Sequence, residues 1–138
     1  MLNKYTVIAS AFRANLGMNI NLERHEIAMQ WLINHNICDF KTVVGVYHEY
    51  GMPTPNREVS LVITDLSHDE VLKVGGYYLT TMAQDSVLVI DQSDNTAVLI
   101  GKDWDEYLGT YQKVTQAEAY KAGIYTLDTN GQYWLAKK

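Results

Sequence analysis

The sequence predicts an α+β protein of the ferredoxin-like class, in which one antiparallel sheet carries both helices on one face. Segments rich in β-branched and aromatic residues alternate with helical patterns in the order β-α-β-β-α-β. Two capping boxes, at 67–70 and 115–118, mark the starts of helices. An Asn-Gly turn signal at 130–131 indicates that a C-terminal hairpin extends the basic unit.

The first half of this unit is a strand followed by a long helix. The strand is predicted over 4–12 (KYTVIASAF), where β-branched and aromatic residues dominate. A loop over 13–20 separates it from a helix that we expect to begin at Asn21, a favourable N-cap residue. The helix should fade near 34–36. Its core-facing residues, at helical spacing, are predicted to be Leu22, Ala28, Met29, Leu32 and Ile33.

A hairpin and a second helix follow. The two strands are predicted over 41–50 and 57–64, joined by a turn at 51–56 that contains both prolines of the chain. The second helix should run from the capping box at Ser67 to about Met82. The pair Gly75-Gly76 weakens it, since glycine is about 1 kcal/mol less favourable than alanine inside a helix.

The C-terminal part is predicted to add hairpins to the sheet. Strands are expected at 86–91 and 96–100, a short helix from Thr115, and a closing hairpin over 123–128 and 132–136. The sheet face without helices would be apolar. We therefore expect a ring-shaped oligomer, a trimer, to cover that face, with Val87 and Val89 contributing.

Composition narrows the class of protein. A chain of 138 residues with 47% hydrophobic and 20% charged residues is expected to form a single domain, 1–138. No run approaches the roughly 20 apolar residues of a membrane span, and the N-terminus does not resemble a signal peptide. Cys38 is the only cysteine, which excludes an internal disulfide and favours the cytosol. The net charge of −5 argues against nucleic-acid binding.

Common catalytic and cofactor motifs are absent from the sequence. It contains no phosphate-binding loop, no dinucleotide fingerprint, no H-E-x-x-H helix and no G-x-S-x-G turn. The four histidines, His25, His35, His48 and His68, show no metal-ligand spacing. We therefore expect neither a metal nor a cofactor.

Polar residues at the ends of predicted strands are the candidate site. They are Ser10 and Arg13, which flank the end of the first strand, Tyr47 on the second, Glu58 and Ser60 on the third, and Gln84 and Asp85 at the start of the fourth. The other interpretation of Glu58 is a solvated carboxylate in the hairpin.

Several blocks of the sequence resemble the phage S-adenosylmethionine lyases, formerly described as hydrolases. The most specific is IASAFRANL (8–16), followed by the N-x-x-R-H spacing of Asn21, Arg24 and His25. Weaker blocks lie at 84–100, 109–114 and 125–134, in the order of the family.

The resemblance implies a chemistry and a set of site residues. It implies cleavage of S-adenosylmethionine to 5′-methylthioadenosine and homoserine lactone without a cofactor, in the host cytosol, which counters restriction. It also implies a trimer with a PII-like shape and active sites between subunits. Glu58 and Tyr47 map to catalytic positions. Substrate-binding residues would be Ser10, Ala11, Phe12, Arg13, Ser60, Gln84 and Asp85, the last two from the neighbouring subunit. Asp85 stands where family members often carry Glu.

The sequence leaves three alternative functions open. The first is true hydrolysis, with water as the nucleophile and Glu58 as the general base. The second is a non-catalytic, PII-like module that binds an adenine nucleotide. The third is an antirestriction protein that binds the restriction enzyme directly, which the weak net charge disfavours.

Overall fold

The computed structural model describes residues 3–47 and 56–138, and within them eight strands and three α-helices. The strands are β1 (Tyr5–Ala9), β2 (Phe40–Tyr47), β3 (Asn56–Leu66), β4 (Val87–Asp91), β5 (Thr96–Ile100), β6 (Asp105–Val114), β7 (Tyr125–Leu127) and β8 (Tyr133–Lys137). The helices are α1 (Met18–Asn34), α2 (His68–Gly76), which continues into a π-helical turn at Tyr77–Thr81, and α3 (Gln116–Ala122).

The strands form one closed antiparallel barrel in the order β1-β3-β2-β7-β8-β6-β5-β4, with β4 pairing back onto β1. The predicted ferredoxin-like class is therefore wrong, although the first six elements follow the order β-α-β-β-α-β. In that class β4 and β2 would be the free edges of the sheet. Here β5 pairs with β4 and β7 pairs with β2, so the C-terminal strands close the ring and remove both edges.

The main core lies between the outer face of the barrel and helices α1 and α2. Alternate residues of β1 and β3, among them Val7 and Ile63, pack against Leu32 of α1 and Val74 of α2, and all four are fully buried. Val87 and Val89 belong to this core and are 2% and 8% exposed. They are therefore not available for the subunit interface that we predicted for them.

The N-cap of helix α1 lies four residues earlier than the sequence predicted. Gly17 occupies the N-cap position, and Asn21 lies inside the helix with its side chain buried. The predicted apolar stripe is confirmed at Ala28 and Leu32, which are buried, but not at Leu22 and Ile33, which are exposed. Large apolar side chains remain outside: Met18, Ile20, Leu22, Ile27 and Ile33 are 42–61% exposed.

Strand β6 was missed by the sequence analysis. Its sequence, DEYLGTYQKV, alternates poorly and contains Gly109, which has a positive φ of 97°. The pairing of β5 with β6 shifts register beside this glycine, as expected for a bulge. The bulge allows β6 to bend and pair with β8, which closes the barrel.

The predicted hairpin is found in part. Strand β2 begins at Phe40 and β3 begins at Asn56, and they pair in antiparallel register from Phe40↔Ile63 to Tyr47↔Asn56. His48 and residues 51–55 of the predicted turn, with Pro53 and Pro55, lie outside the described residues, while Asn56, predicted as part of the turn, belongs to β3. None of the helices in residues 3–47 and 56–138 combines the length and the apolar character of a membrane span.

Candidate active site

A cleft of about 460 Å³ opens at the end of the barrel where β1 and β2 finish and β3 and β4 begin. This volume lies within the range of about 300–1,000 Å³ that is typical of small-molecule sites. Its lining residues are Phe12, Arg13, Ala14, Asn15, Tyr47, Glu58, Gln84, Asp85 and Ser86. Six of them were named from the sequence: Phe12, Arg13, Tyr47, Glu58, Gln84 and Asp85. A pocket of about 200 Å³ adjoins the cleft and shares Tyr47 and Glu58 with it.

Glu58 is the partly buried carboxylate of the cleft. It lies near the start of β3, directly opposite Gly45 of β2. A Cβ atom at Gly45 would lie 3.7 Å from the Cγ of Glu58 and 3.3 Å from the Oγ of Ser60, so the glycine leaves room for both side chains. Burial raises the pKa of Glu58 to about 7. A bound cation would offset this cost of charging the carboxylate.

The loop after β1 forms one wall of the cleft and is held by its own polar groups. The Ser10 hydroxyl donates to the carbonyl oxygen of Val59 at 2.7 Å and accepts from the backbone N–H of Phe12 at 3.0 Å. The side-chain amide of Gln84 donates to the carbonyl oxygen of Phe12 at 3.0 Å. The Arg13 guanidinium donates to the carbonyl oxygen of Ala83. These contacts join the loop after β1 to the segment before β4.

Three of the residues named from the sequence do not line the cleft. Ser10, Ala11 and Ser60 are 7%, 1% and 5% exposed, and none of them belongs to the cleft wall. Ser10 acts on the conformation of the loop through its hydroxyl. The resemblance also implied that Gln84 and Asp85 come from a neighbouring subunit, whereas here both line the same cleft as Glu58 of their own chain.

Two residues of α1 fix this wall and were not predicted from the sequence to act in the site. Asn21 is 6% exposed; its Oδ1 accepts from the backbone N–H of Arg13 at 2.9 Å, and its Nδ2 donates to the carbonyl oxygen of the same residue at 3.0 Å. Arg24 donates to the carbonyl oxygens of Ala11 at 2.7 Å and Met82 at 2.6 Å. The N-x-x-R-H spacing was the available signal, because residues three apart share a helix face.

His25 packs behind the same wall. It is 6% exposed, lies edge-on to the ring of Phe12 at 6.5 Å, and has Nε2 3.5 Å from the Oγ1 of Thr42. Burial lowers the pKa of His25, with Glu26 opposing that effect, so the imidazole is held neutral. Among the residues that the structure describes, no three His, Cys, Asp or Glu side chains group as a metal site would require.

The charges of the cleft suit a cationic ligand. Two carboxylates, Glu58 and Asp85, line it together with one guanidinium, that of Arg13, which already donates to a backbone carbonyl. The aromatic residues Phe12 and Tyr47 also line the cleft, and the faces of aromatic rings attract ammonium and similar cations. The arrangement can therefore hold a positively charged small molecule that carries an apolar or aromatic part.

Comparison with known proteins gives two matches. The family model described as the S-Adenosylmethionine lyase family matches residues 7–137. The chain is also similar to the S-adenosylmethionine lyase of Enterobacteria phage T3, with 26% identity over 140 residues, which cover 94% of this chain and 91% of the phage protein.

Proposed function

This chain belongs to the S-adenosylmethionine lyase family, and we propose that its cleft cleaves S-adenosylmethionine to 5′-methylthioadenosine and L-homoserine lactone. The observation that carries this proposal is the partly buried Glu58 carboxylate in a cleft of about 460 Å³ that Asp85, Phe12 and Tyr47 also line. S-adenosylmethionine carries two positive groups, a sulfonium and an ammonium, and such a cleft offers partners for both.

The substrate contains both reacting groups. A carboxylate oxygen of the methionine part attacks its own Cγ, and the Cγ–S bond breaks with its electron pair moving to sulfur. The products are a neutral thioether and a five-membered lactone that keeps the ammonium, so atoms and charge balance. Because the reaction is intramolecular, alignment alone can supply effective molarities of about 10⁵ M or more. Opposite charges disappear in the transition state, so a water-poor cleft favours the reaction.

The roles that we propose follow from this chemistry. Glu58 binds the substrate ammonium and bends the methionine tail so that the carboxylate faces Cγ. Tyr47 packs beside that tail. Backbone groups of the loop at 10–13 contact the adenine or the ribose. Gln84 and Asp85, on the segment joined to this loop, complete the cleft.

Hydrolysis is the second candidate, and one observation favours it. A carboxylate with a pKa of about 7 is well suited to accept a proton near neutral pH. In that reaction Glu58 removes a proton from water and the water oxygen attacks Cγ. The Cγ–S bond breaks with its electron pair moving to sulfur, so homoserine and methylthioadenosine form directly.

Isotope labelling distinguishes the two reactions. The enzyme is incubated with S-adenosylmethionine in H₂¹⁸O, and early products are identified by mass spectrometry. The lyase reaction releases unlabelled lactone first, and later opening of the lactone carbonyl by water places ¹⁸O in the carboxyl group of homoserine. Direct hydrolysis places ¹⁸O in the γ-hydroxyl group, with no lactone. Absence of methylthioadenosine at high enzyme concentration would overturn both.

We also propose a homotrimer with active sites near its subunit interfaces, which destroys the methyl donor of restriction enzymes in the host cytosol. The exposed apolar residues of α1 support an interface, and one of them, Met18, lines the pocket beside Glu58. Light scattering at micromolar concentration should show three subunits, and Ile20→Lys with Ile27→Lys should dissociate them. A fully active monomer would contradict the trimer and the shared site.

A further inference from the structure

A second cavity lies inside the barrel, at the end opposite to the cleft. It measures about 220 Å³, and none of its lining residues belongs to the cleft or to the adjoining pocket. Its walls come from seven of the eight strands, from Thr6 on β1 to Trp134 on β8. A single water needs only about 10–15 Å³, and an eight-stranded barrel is wide enough to hold one small ligand.

The inner part of the cavity is apolar. Ile8, Val43, Val62 and Ile90 line it from four neighbouring strands, β1 to β4. On the far side, the rings of Tyr111 and Trp134 stack with centroids 5.8 Å apart and planes 7° apart. These side chains form an apolar enclosure that suits an aliphatic chain, because burying such a chain removes apolar surface from water.

One acidic and one basic side chain line the same cavity. The Asp128 carboxylate is held in place because Trp134 Nε1 donates to its Oδ2 at 2.9 Å, and the backbone N–H of Gln132 donates to its Oδ1 at 3.0 Å. Burial acts to raise the pKa of Asp128, but these hydrogen bonds and the nearby charge of Lys41 outweigh it and lower the pKa. The carboxylate is therefore ionised at neutral pH.

The two charged residues both line the cavity and form no ion pair with each other. Lys41 lines the cavity and influences Asp128 electrostatically, yet no ion pair within 4.0 Å joins these two described residues. A fixed carboxylate and a separate ammonium, beside an apolar enclosure, form three points of contact. They complement a molecule that carries a positive group, a negative group and an apolar chain.

We propose that this cavity binds a small zwitterionic α-amino acid with an unbranched apolar side chain. The Lys41 ammonium binds the carboxylate of the ligand, Asp128 binds its ammonium, and the side chain enters the enclosure formed by Ile8, Val62 and Ile90. A simple anion would face the Asp128 carboxylate, and a simple cation would face Lys41. The volume of this cavity, about 220 Å³, lies below the range of about 300–1,000 Å³ that is typical of drug-sized ligands, which favours a small ligand.

Calorimetry with L-methionine as the probe tests this proposal on the intact protein. We expect saturable binding to the wild-type chain. Two analogues, 3-(methylthio)propylamine without the carboxylate and 4-(methylthio)butanoate without the ammonium, should each bind at least tenfold more weakly. L-Alanine, which lacks the apolar chain, should also bind at least tenfold more weakly. These ligand comparisons need no variant and so do not depend on any variant's folding.

Variants then locate the bound methionine. Lys41→Met and Asp128→Asn should each weaken binding at least tenfold, whereas the exposed control Lys102→Met should not. Under the proposed function the catalytic cleft also holds a methionine moiety, so methionine could bind there instead. Glu58→Gln tests this, and it should leave the affinity for methionine unchanged if methionine binds in the second cavity. Loss of binding in Glu58→Gln with retention in Lys41→Met would overturn the proposal. So would the absence of saturable binding at millimolar methionine, or binding of either analogue as tight as that of methionine.

Discussion

At the scale of single residues, the chemistry of the cleft depends on the burial of Glu58. Its pKa of about 7 arises from burial alone, and Asp85, in the same cleft, supplies a second carboxylate. Because burial makes the Glu58 carboxylate costly to ionise, a positively charged ligand bound beside it would stabilise the ionised form strongly. The same property also suits a general base, so substitutions at this position distinguish the two proposed reactions.

Glu58→Ala and Glu58→Gln should differ in activity if Glu58 positions the substrate. The alanine variant leaves the methionine tail unaligned, and we expect kcat/KM to fall about 100-fold or more. The glutamine variant still accepts a hydrogen bond from the ammonium and should keep measurable turnover. Methylthioadenosine release measures both, with the exposed Glu106→Gln on β6 as a matched control. Equal inactivity of the two variants would favour general-base hydrolysis, and wild-type rates in both would remove Glu58 from the site.

The raised pKa of Glu58 also predicts a pH-dependent stability. The folded chain holds the proton up to about pH 7, whereas the unfolded chain loses it near the ordinary value of 4.5. Between these values the folded state binds more protons, so the Glu58 contribution to stability falls as pH rises. Glu58→Gln, which carries no charge, should therefore gain stability relative to wild type from pH 5 to pH 8. Urea unfolding of both proteins across this range measures the difference, and a constant difference would contradict the raised pKa.

At the scale of elements, helix α1 serves two purposes. Ala28 and Leu32 pack on the barrel, while Asn21 and Arg24 hold the loop after β1 and the segment before β4. Arg24 adds a further link between these two segments, since its guanidinium donates to the carbonyl oxygens of Ala11 and Met82. The cleft wall is thus positioned by a regular helix, which is more rigid than a loop held only by itself.

Arg24→Met should therefore reduce activity more than stability. The variant removes the two hydrogen bonds that Arg24 donates, one to each segment, and we expect kcat/KM to fall about 10- to 100-fold, since small misplacements near a reacting centre have effects of this size. Arg24→Lys reaches only one carbonyl at a time and should give an intermediate rate. The control is Gln30→Ala, which removes an exposed contact with Asn34 on the same helix. A wild-type rate in Arg24→Met would contradict the positioning role.

At the scale of the whole molecule, the closure of the barrel depends on strand β6. Its ten residues pair with β5 on one side and β8 on the other, and the positive φ at Gly109 allows the change of register. A Cβ atom at Gly109 would overlap the backbone carbonyl of Lys137 on the neighbouring strand. This glycine is therefore required both for its conformation and for the close approach of β8.

Two glycine substitutions should change stability in opposite directions. Gly109→Ala introduces a strained backbone and a clash, so we expect a loss of about 1–3 kcal/mol or more in the free energy of unfolding. Gly76→Ala lies at the end of α2 with ordinary helical angles and open space around it, and should gain up to about 1 kcal/mol. Urea denaturation measures both. A neutral Gly109→Ala would show that closure of the barrel does not need this bulge.

The sequence by itself determined the local features of this protein. The capping boxes of α2 and α3 form as predicted, with Ser67 and Thr115 each accepting from the N–H three residues later. The resemblance identified the family, which the comparisons confirm. It also named six of the residues that line the cleft. A capping box depends on residues three positions apart, and a family motif is a short run of residues, so both are visible in a linear sequence.

Only the tertiary structure decided how these elements close into a barrel and which polar residues face the cleft. Residues of β2 pair with β7 about eighty positions later, as in Gly45↔Thr126, and no local pattern specifies such a partner. The same limit applies to Asn21, which reads as an N-cap and instead holds the backbone of Arg13. Ser10 and Ser60 were likewise predicted to bind the substrate, but both are buried and neither lines the cleft. Burial and long-range pairing are properties of the assembled chain, because they depend on which distant segments meet.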